Sequence, residues 1–441
     1  MKLELTLELE INIENEPFNI NGIIKGVHLA LNDIGLSILR EVLEAIDRSA
    51  SAKALDECPG RYRNKGFSNR LFKTPMGKLR VNFQKYIDTW EKKTFTPGKQ
   101  LLEVPAYKQW LPWCLTPAAG LLAKVSYSQS AMEATRLQGA APSKSTLHRR
   151  LEDLIGDGAF TPYLRKRWFR YLMVDGTGAR FQSRTESGDP QFYEGEIRFA
   201  FAAVNECRPF ELVGMWVNTP WNECSKELYN RMCTDRLEAL ICDGGAGIAE
   251  AFMLPGMRIQ RCQWHGKRDL SFILYQDGIK KKEQQEILES FASIPTAGWT
   301  KAQVETIRPE DTGELNELRN KILTGFCDLY FLLLSKGYTK AAEYISNLAQ
   351  PYATFINHLI DNNEILPTTS NIIESKISLF KNRIRSIGKR WSENGLLRWL
   401  AVAVRKLLPE FQWSTLWNGI TGNPLPLEIK LVFISTKTVC P

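Results

Sequence analysis

The chain has 441 residues and a formal net charge of +8, with 44% hydrophobic and 24% charged residues. This composition is typical of a soluble globular protein, and the length predicts about two to four modules. No apolar run approaches the roughly 18 residues of a membrane span, the first residues do not resemble a secretory signal, and the nine cysteines lack the spacing of a disulfide framework. These features argue against a membrane or secreted protein and favour a cytoplasmic one.

The N-terminal region, residues 1–57, is predicted to be a separate acidic segment. Residues 1–60 contain 5 basic and 11 acidic side chains, a net charge of −6. The opening alternation of Leu and Glu predicts a strand with one solvated face. Residues 34–50 are predicted to be helical, because apolar side chains recur four residues apart there.

The next segment, residues 58–125, is predicted to be a small basic module that contacts DNA. Residues 61–100 contain 11 basic and 2 acidic side chains, a net charge of +9, with glycines, prolines and aromatics interleaved. Positive charge concentrated in this way indicates a surface that binds a polyanion, although a solvated helix face gives the same count. Cys58 precedes Pro-Gly as in a zinc knuckle, but the next cysteine is Cys114, so zinc is not expected here.

Residues 126–158 are predicted to form a helix-turn-helix. One helix is expected at Ser128–Gln138 and a second at Ser145–Leu154, with a turn at Gly139-Ala-Ala-Pro between them. The second helix carries three basic side chains at or near its start, which are Lys144, Arg149 and Arg150. In a helix-turn-helix such a helix lies in the DNA major groove. Any helical hairpin gives the same pattern, so that alternative stays open.

Residues 166–265 predict an α/β fold. The order of elements is three strands, a helix, a strand, a helix and a strand, which is the order of an RNase H-like core with a mixed five-stranded sheet. The predicted strands are Tyr171–Val174, Arg198–Val204, Leu212–Val217, Leu237–Cys242 and Arg258–Cys262, and the predicted helices are Ser225–Thr234 and Ile248–Phe252.

Two aspartates follow apolar runs in this segment. Asp175 ends Tyr-Leu-Met-Val-Asp-Gly, and Asp243 ends Ala-Leu-Ile-Cys-Asp-Gly-Gly. An unpaired carboxylate in an apolar setting is costly, so such residues make sense when a divalent cation lies between them. The alternative is a pair of surface aspartates, because Asp-Gly is itself a turn signal.

A third carboxylate follows a long helical segment. Residues 266–365 are predicted to be all-helical, through Gln284–Ala292, Leu315–Leu334 and Thr339–Asn347. Thr369-Ser-Asn then predicts the start of a further helix. Apolar residues recur at helical spacing along it, at Ile373, Ile377, Phe380, Ile384 and Ile387. Glu374 lies in the first turn beside this stripe, so docking of the helix on the sheet would turn Glu374 toward the two aspartates. If Glu374 is not the third carboxylate of the site, Glu364 is the leading alternative.

The helix that carries Glu374 lies in a second basic block. Residues 371–410 contain 9 basic and 3 acidic side chains, a net charge of +6. Phosphate contacts of this kind position DNA without reading its sequence. The side chains expected to make them are Lys376, Lys381, Arg383 and Arg385, with Lys389 and Arg390 at the helix exit.

Four motifs now resemble a known family. Val174-Asp-Gly, Ile241-Cys-Asp-Gly-Gly, Cys262-Gln-Trp-His265 and Thr369-Ser-Asn-Ile-Ile-Glu374 occur in the order seen in DDE transposases of prokaryotic insertion sequences. The resemblance is to the Mutator-like group, in which an all-helical insertion interrupts the RNase H-like core. It covers roughly residues 126–410, and Glu374 lies 131 positions after Asp243, a separation that suits the inserted variety.

The resemblance implies a catalytic function and its cofactors. Asp175, Asp243 and Glu374 would be the catalytic triad and would hold two Mg²⁺ or Mn²⁺ ions for phosphoryl transfer. The core would then consist of residues 166–265 and 366–410, with 411–441 as a C-terminal tail that matches nothing in the family. The implied partner is double-stranded DNA, at the terminal inverted repeats and at the target. A homodimer would hold the two ends in the synaptic complex.

Cys262 and His265 match a Cys-x-x-His motif of the same group. A structural zinc site usually has four ligands, and no second pair is nearby in the sequence, so zinc is unlikely. We expect His265 to contact DNA or a metal-bound oxygen, and Cys262 to pack in the core.

Two rival functions stay open at this point. The chain could be a transposase-derived DNA-binding protein without catalysis, which the presence of all three carboxylates disfavours. It could also be another RNase H-like nuclease, such as a resolvase or a repair enzyme, which the helix-turn-helix and the long insertion disfavour. The location expected for any of these is the cytoplasm, in association with the nucleoid.

Overall fold

The computed structural model describes residues 20–138, 140–155, 167–205, 208–296, 312–385 and 390–408, with residues 414, 418–419 and 421–422 near the C-terminus. The strand predicted near the N-terminus and most of the 411–441 tail therefore lie outside the described residues. The chain divides into two compact units, one formed by Met1–Gly156 with Val404–Pro441 and the other by Asp157–Ala403. The finer boundaries predicted within these units stay predictions.

The first unit combines a long helix, an antiparallel β-ribbon and a group of short helices. Its elements are α1 (Ile20–Glu57), β1 (Tyr62–Thr74), β2 (Gly77–Asp88), β3 (Thr94–Phe95), α2 (Pro97–Leu101), α3 (Pro112–Leu122), α4 (Tyr127–Gln138) and α5 (Lys144–Ile155). The sheet order is β1-β2-β3, all antiparallel. The two helices predicted near 126–158 are present as α4 and α5, and the basic segment before them contains the β-ribbon.

The alternation of apolar residues in the ribbon explains how α1 packs on it. Phe72, Leu79, Val81 and Phe83 all point to one face and are buried. Partly buried side chains pack against them from α1 and from the loops beyond β3, namely Leu36, Leu39, Leu43, Leu102, Val104 and Leu111. One face of the ribbon thus forms a core, and the opposite face is left to solvent.

Helix α1 departs from the expectation that no segment suits a membrane span. Among the described residues it is the one helix long and apolar enough to cross a membrane, with an 18-residue window of mean hydropathy 1.3. None of that window is buried. The sequence prediction missed this segment because polar residues interrupt every purely apolar run in it.

The second unit is built on a five-stranded mixed sheet. Its strands are β4 (Tyr171–Arg184), β5 (Pro190–Ala203), β6 (Glu211–Val217), β7 (Ala239–Cys242) and β8 (Arg258–Arg261). The sheet order is β6-β5-β4-β7-β8. The first three strands pair antiparallel, whereas β7 runs parallel to β4 and β8 parallel to β7. Helices α6 (Trp221–Tyr229) and α7 (Ile248–Phe252) connect β6 to β7 and β7 to β8.

Three predicted boundaries in this sheet were wrong. Strand β5 begins at Pro190 rather than at Arg198. Strand β4 does not end before Asp175 but continues to Arg184, because Thr177, Ala179 and Phe181 alternate inward and β5 pairs with its whole length. On the other edge of β4, the backbone of Trp391 forms hydrogen bonds with the backbone of Arg180 and Gln182. Helix α6 lies earlier than predicted, since Cys233 forms an isolated bridge with Trp168 rather than a last helical turn.

Helices make up the rest of the second unit. They are α8 (Gln263–Gln276), α9 (Lys281–Ala292), α10 (Thr312–Ser335), α11 (Thr339–Tyr352), α12 (Thr354–Asn362), α13 (Asn371–Arg385) and α14 (Glu393–Leu407). The all-helical character of 266–365 was predicted, but α8 and α12 were not. Both carry buried histidines. Helix α8 has only a weak amphipathic pattern, and α12 is only nine residues long.

Helix α13 docks on the sheet as its apolar stripe predicted. Ile373, Ile377, Phe380 and Ile384 are all buried. The ring of Phe380 stacks on that of Phe199 in β5, with centroids 6.2 Å apart and planes at 12°. This packing sets the first turn of α13, and therefore Glu374, relative to the sheet. Ile387 lies outside the described residues.

Candidate active site

Asp175 and Asp243 lie side by side on neighbouring strands. The parallel ladder between β4 and β7 has Val174 opposite Cys242 as its last pair, and each aspartate is the next residue of its strand or loop. Adjacent strands are roughly 4.8 Å apart. The two aspartates therefore come directly after the same cross-strand pair. Strand β7 ends at that point, whereas β4 continues and stays paired with β5.

Like charge and burial act on the first of these aspartates. The Asp175 side chain is buried, with 6% exposure. Burial raises its pKa to about 6, and the negative charges of Asp243 and Glu374 add to that shift. The backbone N–H of Gly176, which donates to Oδ1 at 2.7 Å, and the charge of His265 act in the opposite direction. On balance, the surroundings of Asp175 disfavour its ionised form.

No cation of the described chain pairs with either aspartate. The described Lys and Arg residues form no ion pair with Asp175 or Asp243. The Oδ1 atom of Asp243 accepts the backbone N–H of Gly245 at 2.8 Å. The two side chains thus present hard oxygen atoms and negative charge that the protein leaves un-neutralised, which is the chemistry that suits Mg²⁺ or Mn²⁺.

The loop after Asp243 brings an arginine close to the pair. Gly244 has φ of +89°, and a Cβ added there would lie 1.4 Å from the Cζ atom of Arg261. Arg261 is opposite Cys242 in the β7–β8 ladder. The guanidinium can lie over the loop only because residue 244 has no side chain. Sequence analysis did not single out Arg261, since one basic residue at the end of a short strand carries no distinctive signal.

Glu374 is held by two polar side chains. The Nε2 atom of His265 lies 3.4 Å from Glu374 Oε1, and the Ser370 hydroxyl donates to the same oxygen at 3.2 Å. Ser370 Oγ also lies 3.3 Å from His265 Nδ1. His265 is on α8 and is 4% exposed. A ring this buried is suited to orienting Glu374. The expectation that His265 contacts DNA or a metal-bound oxygen stays a prediction.

Cys262 completes this cluster. The backbone N–H of Ser370 donates to its Sγ at 3.3 Å. The Ser370 Oγ, whose single proton points to Glu374, lies 3.4 Å from the same sulfur. Burial alone would raise the pKa of the Cys262 thiol, but hydrogen bonds from His265 and Ser370 outweigh burial and lower it. Burial would lower the pKa of His265, but the contact with Cys262 outweighs burial and raises it. The Cys-x-x-His motif therefore joins the end of β8 to the start of α13.

The three carboxylates share an electrostatic site but do not form a closed cage. Asp243, Glu374 and His265 all act on the charge of Asp175. Within the described ranges, however, no three Asp, Glu, His or Cys side chains are grouped closely enough to hold one ion. Asp175 and Asp243 are the two carboxylates that the sheet places side by side, whereas Glu374 is engaged by His265 and Ser370.

Glu364, the substitute for Glu374, has a different role. Its carboxylate accepts from Arg170 at 2.7 Å and from the hydroxyl of Tyr171. Arg170 also pairs with Glu238. Tyr171 precedes Asp175 by four residues, or roughly 13 Å of strand, so this network lies at the opposite end of β4. Glu364 stabilises the packing there.

Of the side chains predicted to contact phosphate near Glu374, three are engaged within the fold. The guanidinium of Arg390 lies over the Phe192 ring, 3.5 Å from its centroid. The ammonium of Lys376 donates to the Phe210 carbonyl at 2.5 Å and lies over the Phe201 ring. The guanidinium of Arg383 lies over Trp391, 5.6 Å from the ring centroid. Lys381 is partly exposed on α13. The side chain of Arg385 and residue Lys389 lie outside what the structure describes.

The basic side chains of α5, the second helix of the predicted helix-turn-helix, differ in their exposure and contacts. Lys144 and Arg149 are exposed on α5. Arg150 instead donates to the Trp110 carbonyl at 3.1 Å, so it holds α5 to the chain before α3. Only the first two are positioned as surface cations.

Comparison with known proteins yields one described likeness. The chain is similar in structure to the Drosophila P element transposase strand transfer complex, with a TM-score of 0.37 and 12% sequence identity, over 71% of this chain and 96% of that chain. No protein-family model and no curated protein sequence matches the chain. A likeness of this degree carries no argument about activity, so the function proposed next rests on the carboxylates and their surroundings.

Proposed function

We propose that the chain is a DDE transposase, a metal-dependent enzyme that cleaves DNA and transfers strands at the terminal inverted repeats of a mobile element. In this proposal the five-stranded sheet is an RNase H-like core of the Mutator-like, prokaryotic insertion-sequence type, and helices α8 to α12 are its insertion. The observation that carries it is the pair Asp175 and Asp243, adjacent across the β4–β7 ladder and un-neutralised by any described Lys or Arg.

Asp175 and Asp243 would hold the divalent cations, with Glu374 as the third carboxylate. Bound Mg²⁺ or Mn²⁺ supplies Lewis-acid stabilisation and an activated oxygen nucleophile for displacement at phosphorus. With a pKa of about 6, Asp175 is mostly ionised near neutral pH, and only below about pH 6 must it lose a proton before it can serve as a ligand. A neighbouring cation favours that ionisation.

The remaining polar residues position Glu374. The imidazole of His265 and the hydroxyl of Ser370 both contact Glu374 Oε1, so they fix the rotamer of that side chain at the start of α13. Cys262 in turn holds Ser370. His265 is accordingly a positioning residue in this proposal.

The proposed partner is double-stranded DNA, both the inverted repeats and the target. Lys381 on α13 and Lys144 and Arg149 on α5 are the predicted phosphate contacts that the fold leaves partly or fully exposed. Two DNA ends must be held together during transfer, which is the reason for proposing a homodimer. A cytoplasmic, nucleoid-associated location follows from this substrate.

The test is cleavage of a labelled duplex that carries the element's end, in Mg²⁺ or Mn²⁺, by wild type and Asp243→Ala. Loss of cleavage with retained duplex binding supports the proposal. Glu364→Gln, which changes a carboxylate at the far end of β4, is the control and should keep its cleavage activity.

A rival function is a transposase-derived DNA-binding protein without catalysis. One observation favours it: among the described residues, no three Asp, Glu, His or Cys side chains lie close enough together to bind one metal ion. If wild type binds the end with high affinity and cuts no duplex in either metal, that rival replaces the proposal. Cutting of branched DNA alone would favour a resolvase-type nuclease.

A further inference from the structure

We propose that the outer face of the β1–β2 ribbon lies in the major groove of duplex DNA and reads base sequence there. This inference rests on the proposed function only in taking DNA as the partner, and it concerns recognition rather than cleavage. None of the residues involved was predicted individually as a DNA contact.

The ribbon has two unlike faces. Its inner face is the apolar core under α1. Its outer face consists of cross-strand pairs that the register defines, which are Phe67 with Gln84, Asn69 with Asn82, Leu71 with Arg80 and Lys73 with Lys78. Asn69, Asn82, Arg80 and Lys78 are exposed. This face is therefore a strip of amide and cationic side chains, about two strands wide.

The charge of the ribbon is of one sign. No Asp or Glu occurs between residues 59 and 87. Four basic residues of the module are engaged within it. Arg61 pairs with Asp88 and Lys93 with Glu91. Arg70 donates to the Pro105 and Lys108 carbonyls, and Lys99 donates to Ser68. Six others form no ion pair with a described residue, namely Arg63, Lys65, Lys73, Lys78, Arg80 and Lys85.

One pair is unfavourable in the free protein. Lys73 and Lys78 are directly opposite on the same face, and like charges in that position destabilise an antiparallel pair. A solvated strand pair usually places opposite charges there. A polyanion laid along the face would turn this repulsion into attraction, because its phosphates neutralise both ammonium groups.

The side chains on this face favour duplex DNA over other polyanions. The major groove is about 12 Å wide and admits a two-stranded ribbon. Asn and Gln pair with adenine, and Arg with guanine, through two hydrogen bonds at the base edge. Asn69, Asn82 and Arg80 supply those groups at the centre. They lie between lysines at the Lys73–Lys78 end and Arg63 and Lys65 beyond a bulge. Gln84 is not among them, because its Oε1 accepts from the Tyr86 hydroxyl at 2.6 Å. Single-strand binding uses a series of aromatic platforms, and this face has one, Phe67.

The test uses the full chain and duplexes selected from a pool of random 30-base-pair DNA. Affinity is measured by fluorescence anisotropy over a range of KCl concentrations, for a selected sequence and a scrambled one. We expect Lys73→Ala with Lys78→Ala to weaken both sequences alike and to lower the salt dependence by about two phosphate contacts. We expect Asn69→Ala with Asn82→Ala to weaken the selected sequence by about tenfold or more and to leave the scrambled one unchanged.

The control is Lys53→Ala with Lys340→Ala, which removes the same charge from exposed positions off the ribbon and should change neither affinity. Ribbon variants that bind like wild type, at an unchanged melting temperature, would overturn the inference, as would tighter binding to single strands than to duplexes. Such a result leaves the proposed function standing if wild type still cuts the element's end. Conversely, sequence-selective binding through the ribbon in a protein that cuts nothing supports this inference and contradicts the proposed function.

Discussion

At the scale of single residues, the candidate site has an electrostatic cost that should be measurable. Asp175 is buried beside two other carboxylates and pairs with no described cation. Natural ion pairs lower the pKa of an aspartate, whereas this environment raises it. A group of this kind is typical of a functional site, where stability is sacrificed for a ligand that the folded protein binds.

Asp175→Asn should therefore stabilise the protein near neutral pH. The pKa of Asp175 is about 6 in the folded state against an ordinary value of 3.8, so ionisation penalises folding progressively as pH rises from about 4 to 6. Each pKa unit corresponds to about 1.4 kcal/mol, which predicts a gain of roughly 2–3 kcal/mol at pH 7.5. Below pH 4 both states bind the proton and the gain should vanish.

Urea unfolding at pH 4 and pH 7.5 measures this difference. Asp328→Asn, at an exposed position in the same unit, is the control and should be neutral at both values. An Asp175→Asn variant less stable than wild type at pH 7.5 would show that the carboxylate has a partner that compensates its charge.

A second residue-scale prediction concerns Gly244. Gly244→Ala should destabilise by about 1–2 kcal/mol, because φ of +89° is strained for any L side chain and the new Cβ would displace the Arg261 guanidinium. Gly245→Ala is the matched control, since a Cβ there meets Ile248 at 3.1 Å and needs only a small shift. Adding Arg261→Ala to Gly244→Ala should recover the steric part of the loss and leave the strain. Equal stability of the two glycine variants in thermal unfolding would contradict this assignment.

At the scale of secondary-structure elements, helix α13 depends on the sheet for its position. Phe380 is buried between the ring of Phe199, on which it stacks, and the edge of Trp399. Its neighbour Leu379 is half exposed. Helix α13 is therefore held on the sheet by its apolar face. The packing of Phe380, six residues after Glu374, helps to position that carboxylate.

Phe380→Ala should cost about 3–5 kcal/mol, and the amides of α13 should exchange faster with solvent. Leu379→Ala, one residue away, should cost less than about 0.5 kcal/mol and leave exchange unchanged. Unfolding free energies and hydrogen exchange of the two variants give the comparison. If both variants exchange alike in α13, the stack on Phe199 is not what holds the helix.

The elements that the sequence predicted well are those in which apolar residues recur at regular spacing or form a clear run. The stripe of α13 and the helices of 266–365 have clear spacing, and the apolar runs of β5, β6 and β7 stand between turn signals. The continuation of β4 beyond Asp175 was missed, because Gly176 and Gly178 interrupt the strand pattern and only pairing with β5 and Trp391 holds it extended. Tertiary pairing of this kind is invisible in a local window.

The candidate site was predicted in outline only. Asp175, Asp243 and Glu374 could be named because carboxylates after apolar runs are conspicuous. Ser370 and Arg261 could not, since a serine at a helix start reads as a cap and an arginine at a strand end as a surface residue. The engagement of Lys376 and Arg150 with backbone carbonyls depends on Phe210 and Trp110, which lie far away in the sequence.

At the scale of the whole molecule, each of the two units carries one half of the proposed activity. The unit of Met1–Gly156 with Val404–Pro441 contains the β-ribbon and helices α4 and α5, and the unit of Asp157–Ala403 contains the carboxylates. Recognition and chemistry are thus assigned to different parts of the chain, so variants in one should leave the other's readout intact. In the sequence, basic charge concentrates in residues 61–100, which belong to the first unit, and again near Glu374, in the second.

The central claim is that Asp175 and Asp243 together hold the catalytic divalent cation, and a calorimetric titration of the full chain with Mn²⁺ tests it most directly. Wild type should bind the metal, Asp175→Asn and Asp243→Asn should each weaken binding by about tenfold or more, and Glu364→Gln should bind like wild type. Binding that survives in both aspartate variants would contradict the claim and with it the proposed DDE chemistry.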